Sequence, residues 1–403
     1  MKYTAEEVLQ YAEEENVKFI RLTFCDVAGR QKNLSIMPGE LERAFTDGCA
    51  FDGSAIALFG EGTGPDLLLR PDPATLTGLP WRPENGRVVR MFCDILHPDG
   101  TPFSRDVRAF LKGAAARAER AGIRFRIGAG LEFYLFRTGE DGAAVREPLD
   151  CGGYMDVSPL DRGEDVRREI CLTLERMGIH PERSHHGAGP GQNRIDFRHA
   201  DPLTAADNAV TFRWVAETVA ARNGLCADFS PKPLAEAPGS GFHIYLSLES
   251  ADGRDLLPRA AGGILAHVRE MTAFLHPGRD ACLRPGSGEA PRSSGGAGED
   301  RSRLFRIPAA KAPCRRLELG SPAPSANPYL AFALLLHAAL DDLEQDPPLP
   351  EKADKELSCA GAETLDRLPA LPATPEEARL LAAESGFLRK HLPPSLLEVL
   401  LAQ

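Results

Sequence analysis

SHHGAGPGQNRIDF, residues 184–197, joins a run of turn-forming glycines to a short strand with alternating polarity. Along that strand Arg194, Asp196 and Arg198 point to one side while Ile195 and Phe197 point to the other, the two-residue period of a half-buried sheet strand. The glycines resemble a dinucleotide fingerprint only in content, because no helical pattern and no trailing acidic residue follow at the needed distance. No GxxxxGK[ST] motif occurs anywhere, so a Walker-type phosphate loop is excluded. His185 and His186 are adjacent and cannot easily chelate one ion from an extended strand, so both are expected to be structural.

Working outward, three more strands share this half-polar character. In FHIYLSLE (242–249) Phe242, Ile244, Leu246 and Leu248 face a core and His243, Tyr245, Ser247 and Glu249 face away. In RRLELG (315–320) Arg316 and Glu318 lie opposite Leu317 and Leu319, and Glu132 sits among apolar neighbours in LEFYLF (131–136). Each strand alone reads as the solvated face of an antiparallel sheet; four together favour a charged pocket on a curved one. Helical periodicity marks 102–122, 164–178, 207–224, 260–275 and 327–345. Before them a capping box at Thr4 and Glu7 starts a helix, and residues 19–36 read as two strands around Ala28-Gly29. A short helix over 38–48 and a strand over 87–100 follow, with the glycine-rich 49–62 expected to be irregular. The class is α+β, with domains over 1–100 and 101–403. The low-complexity segment 284–302 is expected to be a mobile loop, and PPLPEKADKE (347–356) to close the compact body.

The chain of 403 residues is 43% hydrophobic and 26% charged, which excludes disordered and fibrous classes. Its formal net charge of −11, with both signs interspersed, disfavours nucleic acid and anionic membrane as partners. No apolar leader and no membrane-length apolar run occur, so a cytoplasmic location is expected. The nine cysteines form no CxxC pair, and most lie in apolar runs; buried reduced thiols are expected.

The residues also carry a family resemblance. KYTAEEVLQYAEEENVKFIRLTF, FDGSAI, LEFYLF, GGYMDVSP, SHH, PGQNRIDF, PKPL, GSGFHIYLSL, EAP, DRS, FRIP, RLEL and NPYLA occur in the order found in type I glutamine synthetases and span nearly the whole chain. The resemblance implies an N-terminal β-grasp domain and a C-terminal catalytic-type domain of antiparallel strands curved around the site and backed by helices. It also implies ATP-dependent formation of γ-glutamyl phosphate from glutamate followed by attack of ammonia, in stacked rings of subunits.

Carried over by motif, Asp52 matches the carboxylate that activates ammonium, Glu289 the flap residue, and Arg301 a phosphate-side arginine. Gly239, Arg284 and Arg306 match substrate-binding positions, with a proline, Pro238, before GSG. ATP and Mg2+ or Mn2+ are the implied cofactors, held at two positions: Glu132, Gly187 and Arg194 for one, Gly130, His243 and Glu318 for the other. Of these six, Gly130, Gly187 and Arg194 stand where similar proteins carry glutamates, and with Gly320 they shift the local charge by about +3. Arg194 is expected to pair with Glu132 and fill the first cation position. The expectation is a catalytically impaired paralogue with a regulatory, structural or sensing role; an active ligase on the remaining metal position and simple ligand binding without turnover are the alternatives. The resemblance also implies a further helical tail past Gln403, so weakened ring stacking, or assembly with a full-length relative, is expected.

Overall fold

The computed structural model describes residues 3–60, 66–81, 86–139, 142, 144–278, 281, 305–306, 316–345 and 370–402. The chain divides into two compact units: residues 1–110 with 172–180 and 393–403, and residues 111–171 with 181–392.

In the first unit, helix α1 (Ala5–Glu14) starts on the capping box: Thr4 Oγ1 accepts from the Glu7 amide, and the Glu7 carboxylate accepts from the Thr4 amide. Val8 and Ala12 bury its inner face. Strands β1 (Val17–Cys25) and β2 (Gln31–Ile36) form an antiparallel hairpin. Its turn needs Gly29 at φ 79° and is pinned by Asp26, whose Oδ1 accepts from the Arg30 amide at 2.8 Å. Helix α2 (Leu41–Thr46) leads to β3 (Cys49–Phe51), β4 (Leu67–Pro71), β5 (Thr77–Gly78) and β6 (Arg87–Leu96). The sheet order is β2-β1-β6-β4-β3, with β5 also on β6, and only β1 and β6 run parallel. This is the β-grasp arrangement. Residues 49–51 correct the expectation of an irregular segment, because Cys49, Ala50 and Phe51 pair with Leu69, Leu68 and Leu67. Three residues suffice where a partner strand supplies the other half of every hydrogen bond.

The second unit is organised on β7 (Ile123–Thr138), a 16-residue strand that follows helix α3 (Val107–Arg120). Strand β8 (Ala144–Pro148), helix α4 (Glu164–Arg176), β9 (Pro181–His186), β10 (Gln192–Phe197), helix α5 (Pro202–Arg222), β11 (Leu225–Asp228) and β12 (Phe242–Ser250) come next. Helix α6 (Leu257–Leu275), β13 (Phe305–Arg306), β14 (Leu317–Leu319) and helices α7 (Pro328–Gln345), α8 (Pro375–Glu384) and α9 (Gly386–His391) follow, and α10 (Pro394–Leu401), which belongs to the first unit, completes the described chain. The antiparallel sheet runs β13-β14-β12-β7-β10-β9, with β11 and β8 also on β7. Phe133, Phe197, Phe212 and Phe229 pack behind it. Helix α7 is apolar on every side and buried from Tyr329 to Leu340, which makes it a core helix rather than a surface one.

None of the described cysteines is in a disulfide. Cys25, Cys49 and Cys93 are buried, but Cys151 is exposed and Cys171 and Cys226 are half-buried. Cys151 lies in a glycine-flanked loop rather than an apolar run, which is why the general expectation fails there. No helix among the described residues is long and apolar enough to cross a membrane. The segments 284–302 and 347–356 lie outside the described residues.

Candidate active site

The register of β7 with its neighbours builds the site. Arg194 pairs with Glu132 and Asp196 with Gly130 across one side, while His243 pairs with Gly130 across the other and Tyr245 pairs with Glu318 one strand further out. Directly opposed residues share a face, so Glu132, Arg194, Asp196, His243, Tyr245 and Glu318 gather on the same side of the sheet.

Glu132 is held from two directions. Its Oε2 accepts from the Gly241 amide at 2.7 Å, and its Oε1 lies 3.2 Å from His243 Nε2 and 3.5 Å from Arg194 Nη1. The other His243 nitrogen, Nδ1, is 3.3 Å from Glu318 Oε1. The imidazole therefore bridges two carboxylates through opposite ring nitrogens. Burial and the Arg194 charge lower its pKa, yet the hydrogen bonds to Glu132 and Glu318 outweigh them and raise it above the ordinary value.

Arg194 does meet Glu132, but its shorter contacts are with His243 and with Asp196 and Tyr245, two residues to which the sequence assigned no role. Its Nε donates to Asp196 Oδ1 at 2.9 Å, its Nη2 to the Tyr245 hydroxyl at 2.6 Å, and its Nη1 lies 3.1 Å from His243 Nε2. Burial works against the guanidinium charge, but Asp196, Tyr245 and Glu132 more than compensate and keep it protonated. Asp196 is 1% exposed and is shared with Arg183, 2.6 Å away. Burial pushes the Tyr245 phenol up, so it stays a neutral hydroxyl. The Arg316 guanidinium lies 4.4 Å over the Tyr245 ring. His199 also stacks on that tyrosine, 3.5 Å from the Arg316 guanidinium, and is pushed down to about 4 by burial and by Arg316 and Arg126.

The two glycines explain how this fits. A Cβ on Gly130 would lie 1.9 Å from Asp196 Oδ1 and 3.5 Å from Arg194 Nη2, so the aspartate occupies the room that a side chain at 130 would take. A Cβ on Gly187 would lie 2.6 Å from Gln192 Cγ. Gln192 is itself fixed, donating to Gly239 O and accepting from the Gly189 amide. Asp196 had one sequence signal, its place beside Arg194 on the polar face of NRIDF; that it would reach over Gly130 depends on cross-strand register.

Other expected site residues are placed as follows. Gly239 lies in the turn before β12 and accepts from Gln192. Asp52 belongs to the first unit, where the Ser54 hydroxyl and amide bind its carboxylate and lower its pKa. Arg306 pairs through its backbone with Glu318. Arg284, Glu289 and Arg301 lie outside the described residues. His186 is structural, its Nε2 3.1 Å from Asp150 Oδ1. Asp150, Asp161 and His186 come close enough to suggest a cation site. Both carboxylates are already bound, Asp150 by the amides of Gly152, Arg162 and Gly191 and Asp161 by the Gly163 amide and the Arg167 guanidinium. His185 faces the other way, edge-on to Tyr154.

A curved antiparallel sheet backed by helices, with carboxylates, a histidine and arginines on its polar face, in a chain that also carries a β-grasp unit, fits the scaffold of an amide-ligase class. The comparisons specify it. The family model described as the glutamine synthetase catalytic domain matches residues 104–402, and that of the glutamine synthetase β-grasp domain matches 16–98. A glutamine synthetase from Methanosarcina mazei is 42% identical over 385 residues, covering 90% of this chain and 86% of the relative. One from Clostridium saccharobutylicum is 41% identical over 370 residues, 88% and 83% of the two chains. A solved structure, a GmaS/ADP complex, superposes with a TM-score of 0.84 at 29% identity over 100% of this chain and 94% of that one. The chain belongs to the glutamine synthetase family.

Members of that family use ATP and divalent metals, so the donor set can be tested against such an ion. Beside Glu132 the fit is poor: a guanidinium already sits 3.5 Å from the carboxylate, and no second carboxylate comes from positions 130, 187 or 194. A hard cation takes six or more oxygen donors at about 2.0–2.6 Å. His243 and Glu318 remain as a second pair, with the imidazole Nδ1 towards the carboxylate.

Proposed function

We propose that this protein is a glutamine synthetase family member impaired in the family's own reaction, the ATP-dependent ligation of ammonia to glutamate through γ-glutamyl phosphate, and that it acts as a regulatory or structural paralogue. The observation that carries this reading is the engagement of Arg194 with Glu132, Asp196, His243 and Tyr245. Phosphoryl transfer requires positive charge that bridges the polyphosphate and follows the charge developing on the transferred group. A guanidinium has five N–H donors, and here Nε, Nη1 and Nη2 are all directed at protein groups. Arg194 thus neutralises the carboxylates without offering a fork to phosphate.

The test is γ-glutamyl hydroxamate formation from glutamate, Mg-ATP and hydroxylamine. The unmodified chain is expected to give no product above a no-enzyme control. Because a side chain at 130 collides with Asp196, restoration takes Gly130→Glu, Gly187→Glu and Arg194→Glu together with Asp196→Ala. Activity gained only in that combination supports the reading, and turnover by the unmodified chain overturns it.

A second reading, an active glutamine or related γ-glutamyl-amine ligase working through His243 and Glu318, draws support from relatives at about 40% identity that are named glutamine synthetase. It predicts magnesium-dependent product in the same assay, with glutamate, ATP and ammonia or another amine as substrates. In either reading Asp52, Glu289 and Arg301 are proposed as catalytic groups, Gly239, Arg284 and Arg306 as substrate-binding ones, and a ring of subunits as the assembly.

A further inference from the structure

The segment of the first unit that carries Asp52 is held in place from outside itself. Most hydrogen bonds of residues 52–60 are local: the Ser54 amide and hydroxyl bind the Asp52 carboxylate, the Ile56 amide donates to Gly53 O and the Phe59 amide to Ile56 O. These bonds work against strain, because Leu58 has φ 70°, a left-handed conformation that is costly for a bulky side chain. Two tertiary anchors oppose it. The Phe59 ring is fully buried, 5.1 Å from Phe103 and 6.3 Å from Phe24, and Phe59 O accepts from Arg105 Nη1. The guanidinium crosses Gly60 on its way, where a Cβ would collide with it.

The same arginine holds α10. Its Nε donates to Ser395 O at 3.2 Å, and the Ser104 hydroxyl lies 2.8 Å from the Ser395 hydroxyl. Phe103 therefore touches the Asp52 segment, Ser104 touches α10, and Arg105 touches both. These three residues stand on the sheet, since the Phe103 amide donates to Ile95 O of β6 and the Ile95 amide to Asp106 Oδ2. Helix α10 itself is seated by Leu396 and Leu397, both buried. An arginine can serve two carbonyls at once because its donors form a rigid planar fork, whereas a lysine is a point charge on a flexible stem.

We infer that α10 sets the conformation of the Asp52 segment through Arg105, a positioning residue, so that displacing α10 loosens the loop that aims the Asp52 carboxylate. The coupling goes beyond the proposed function and holds with or without turnover. It is also reciprocal, so disturbing the bridge loosens both ends.

Hydrogen–deuterium exchange of the full chain, followed by mass spectrometry on peptides from 52–60, α10 and α1, tests the coupling. Arg105→Gln is expected to speed exchange about tenfold or more in 52–60 and in α10, with α1 unchanged. Arg105→Lys, which keeps the charge and loses the fork, is expected to do the same. Leu396→Asp, which unseats α10, is expected to speed exchange in 52–60 and to add nothing there on top of Arg105→Gln, because both changes break one connection. An unchanged rate in 52–60 or in α10 after Arg105→Gln overturns the inference, as does a Leu396→Asp effect on 52–60 of equal size with and without Arg105. Faster exchange in α1 as well overturns it too, since the whole unit would then be opening. Should Leu396→Asp fail to fold, the paired response of 52–60 and α10 to Arg105→Gln decides alone.

Discussion

Asp196 lies over a glycine, and that placement changes what Arg194 can do. With 1% of the residue exposed and arginines at 2.6 and 2.9 Å, it sits in a charge alternation running Arg183, Asp196, Arg194, Glu132. Removing one partner of a buried pair leaves the other uncompensated. Asp196→Ala is expected to destabilise the protein by on the order of 3 kcal/mol in urea unfolding. The loss should shrink in the presence of Arg194→Glu, because the two residues touch and their effects are then not additive. Equal losses with and without Arg194→Glu would show that the pair is not coupled. Gly130→Glu alone is expected to be strongly destabilising, since Asp196 cannot leave the volume above Gly130 without abandoning Arg183.

At the scale of elements, α6, α7 and α9 are joined by a ladder of rings: His267 on Phe387 at 4.2 Å, Phe387 near His391 at 5.0 Å, and His391 on His337 at 4.3 Å. Asp341 gathers the surrounding charges, accepting from Arg117, Lys390 and His391. Burial, with the His391 and Arg117 charges, pushes His337 down to about 3. Burial also lowers His391, against its hydrogen bond to Asp341, and hydrogen bonds from His391, Lys390 and Arg117 hold Asp341 below the usual carboxylate range. A histidine whose folded pKa is depressed costs stability when the unfolded chain can take up a proton that the folded one refuses. Stability should therefore decline as pH falls below about 6.5 and continue to do so towards the folded value, by up to about 1.4 kcal/mol per pH unit for His337. The Asp341 contribution, present above the unfolded carboxylate value near 4, is lost only at lower pH. His337→Gln keeps an acceptor for Arg117 and cannot titrate, so its unfolding free energy should be flatter between pH 6.5 and 4 than that of the unmodified chain; parallel curves would refute the assignment.

For the whole molecule, an internal guanidinium in place of a bound ion predicts indifference to metal. A ligand present at 100 times its Kd adds about 2.7 kcal/mol to folding. Neither EDTA nor millimolar magnesium or manganese is expected to move the unfolding midpoint, and a manganese titration followed by electron paramagnetic resonance should show no ion on Glu132. In the Arg194→Glu, Asp196→Ala background with both glycines restored, the same titration should reveal binding. A shift of several degrees with manganese in the unmodified chain would contradict the fit argued above.

The sequence by itself determined the α+β class, the capped first helix, the β1–β2 hairpin at Gly29 and the alternation that puts Glu132, Arg194, His243 and Glu318 on polar strand faces. These are local properties: a period of two or 3.6 residues, a cap, a turn that needs positive φ. The motif order was enough to fix the family as well. Only the tertiary structure decided that Asp196 covers Gly130 and that His243 bridges Glu132 and Glu318. Those facts depend on strand register, and contacts between residues 66 and 111 positions apart, as for Gly130 and Asp196 or Glu132 and His243, leave no periodic trace along the chain.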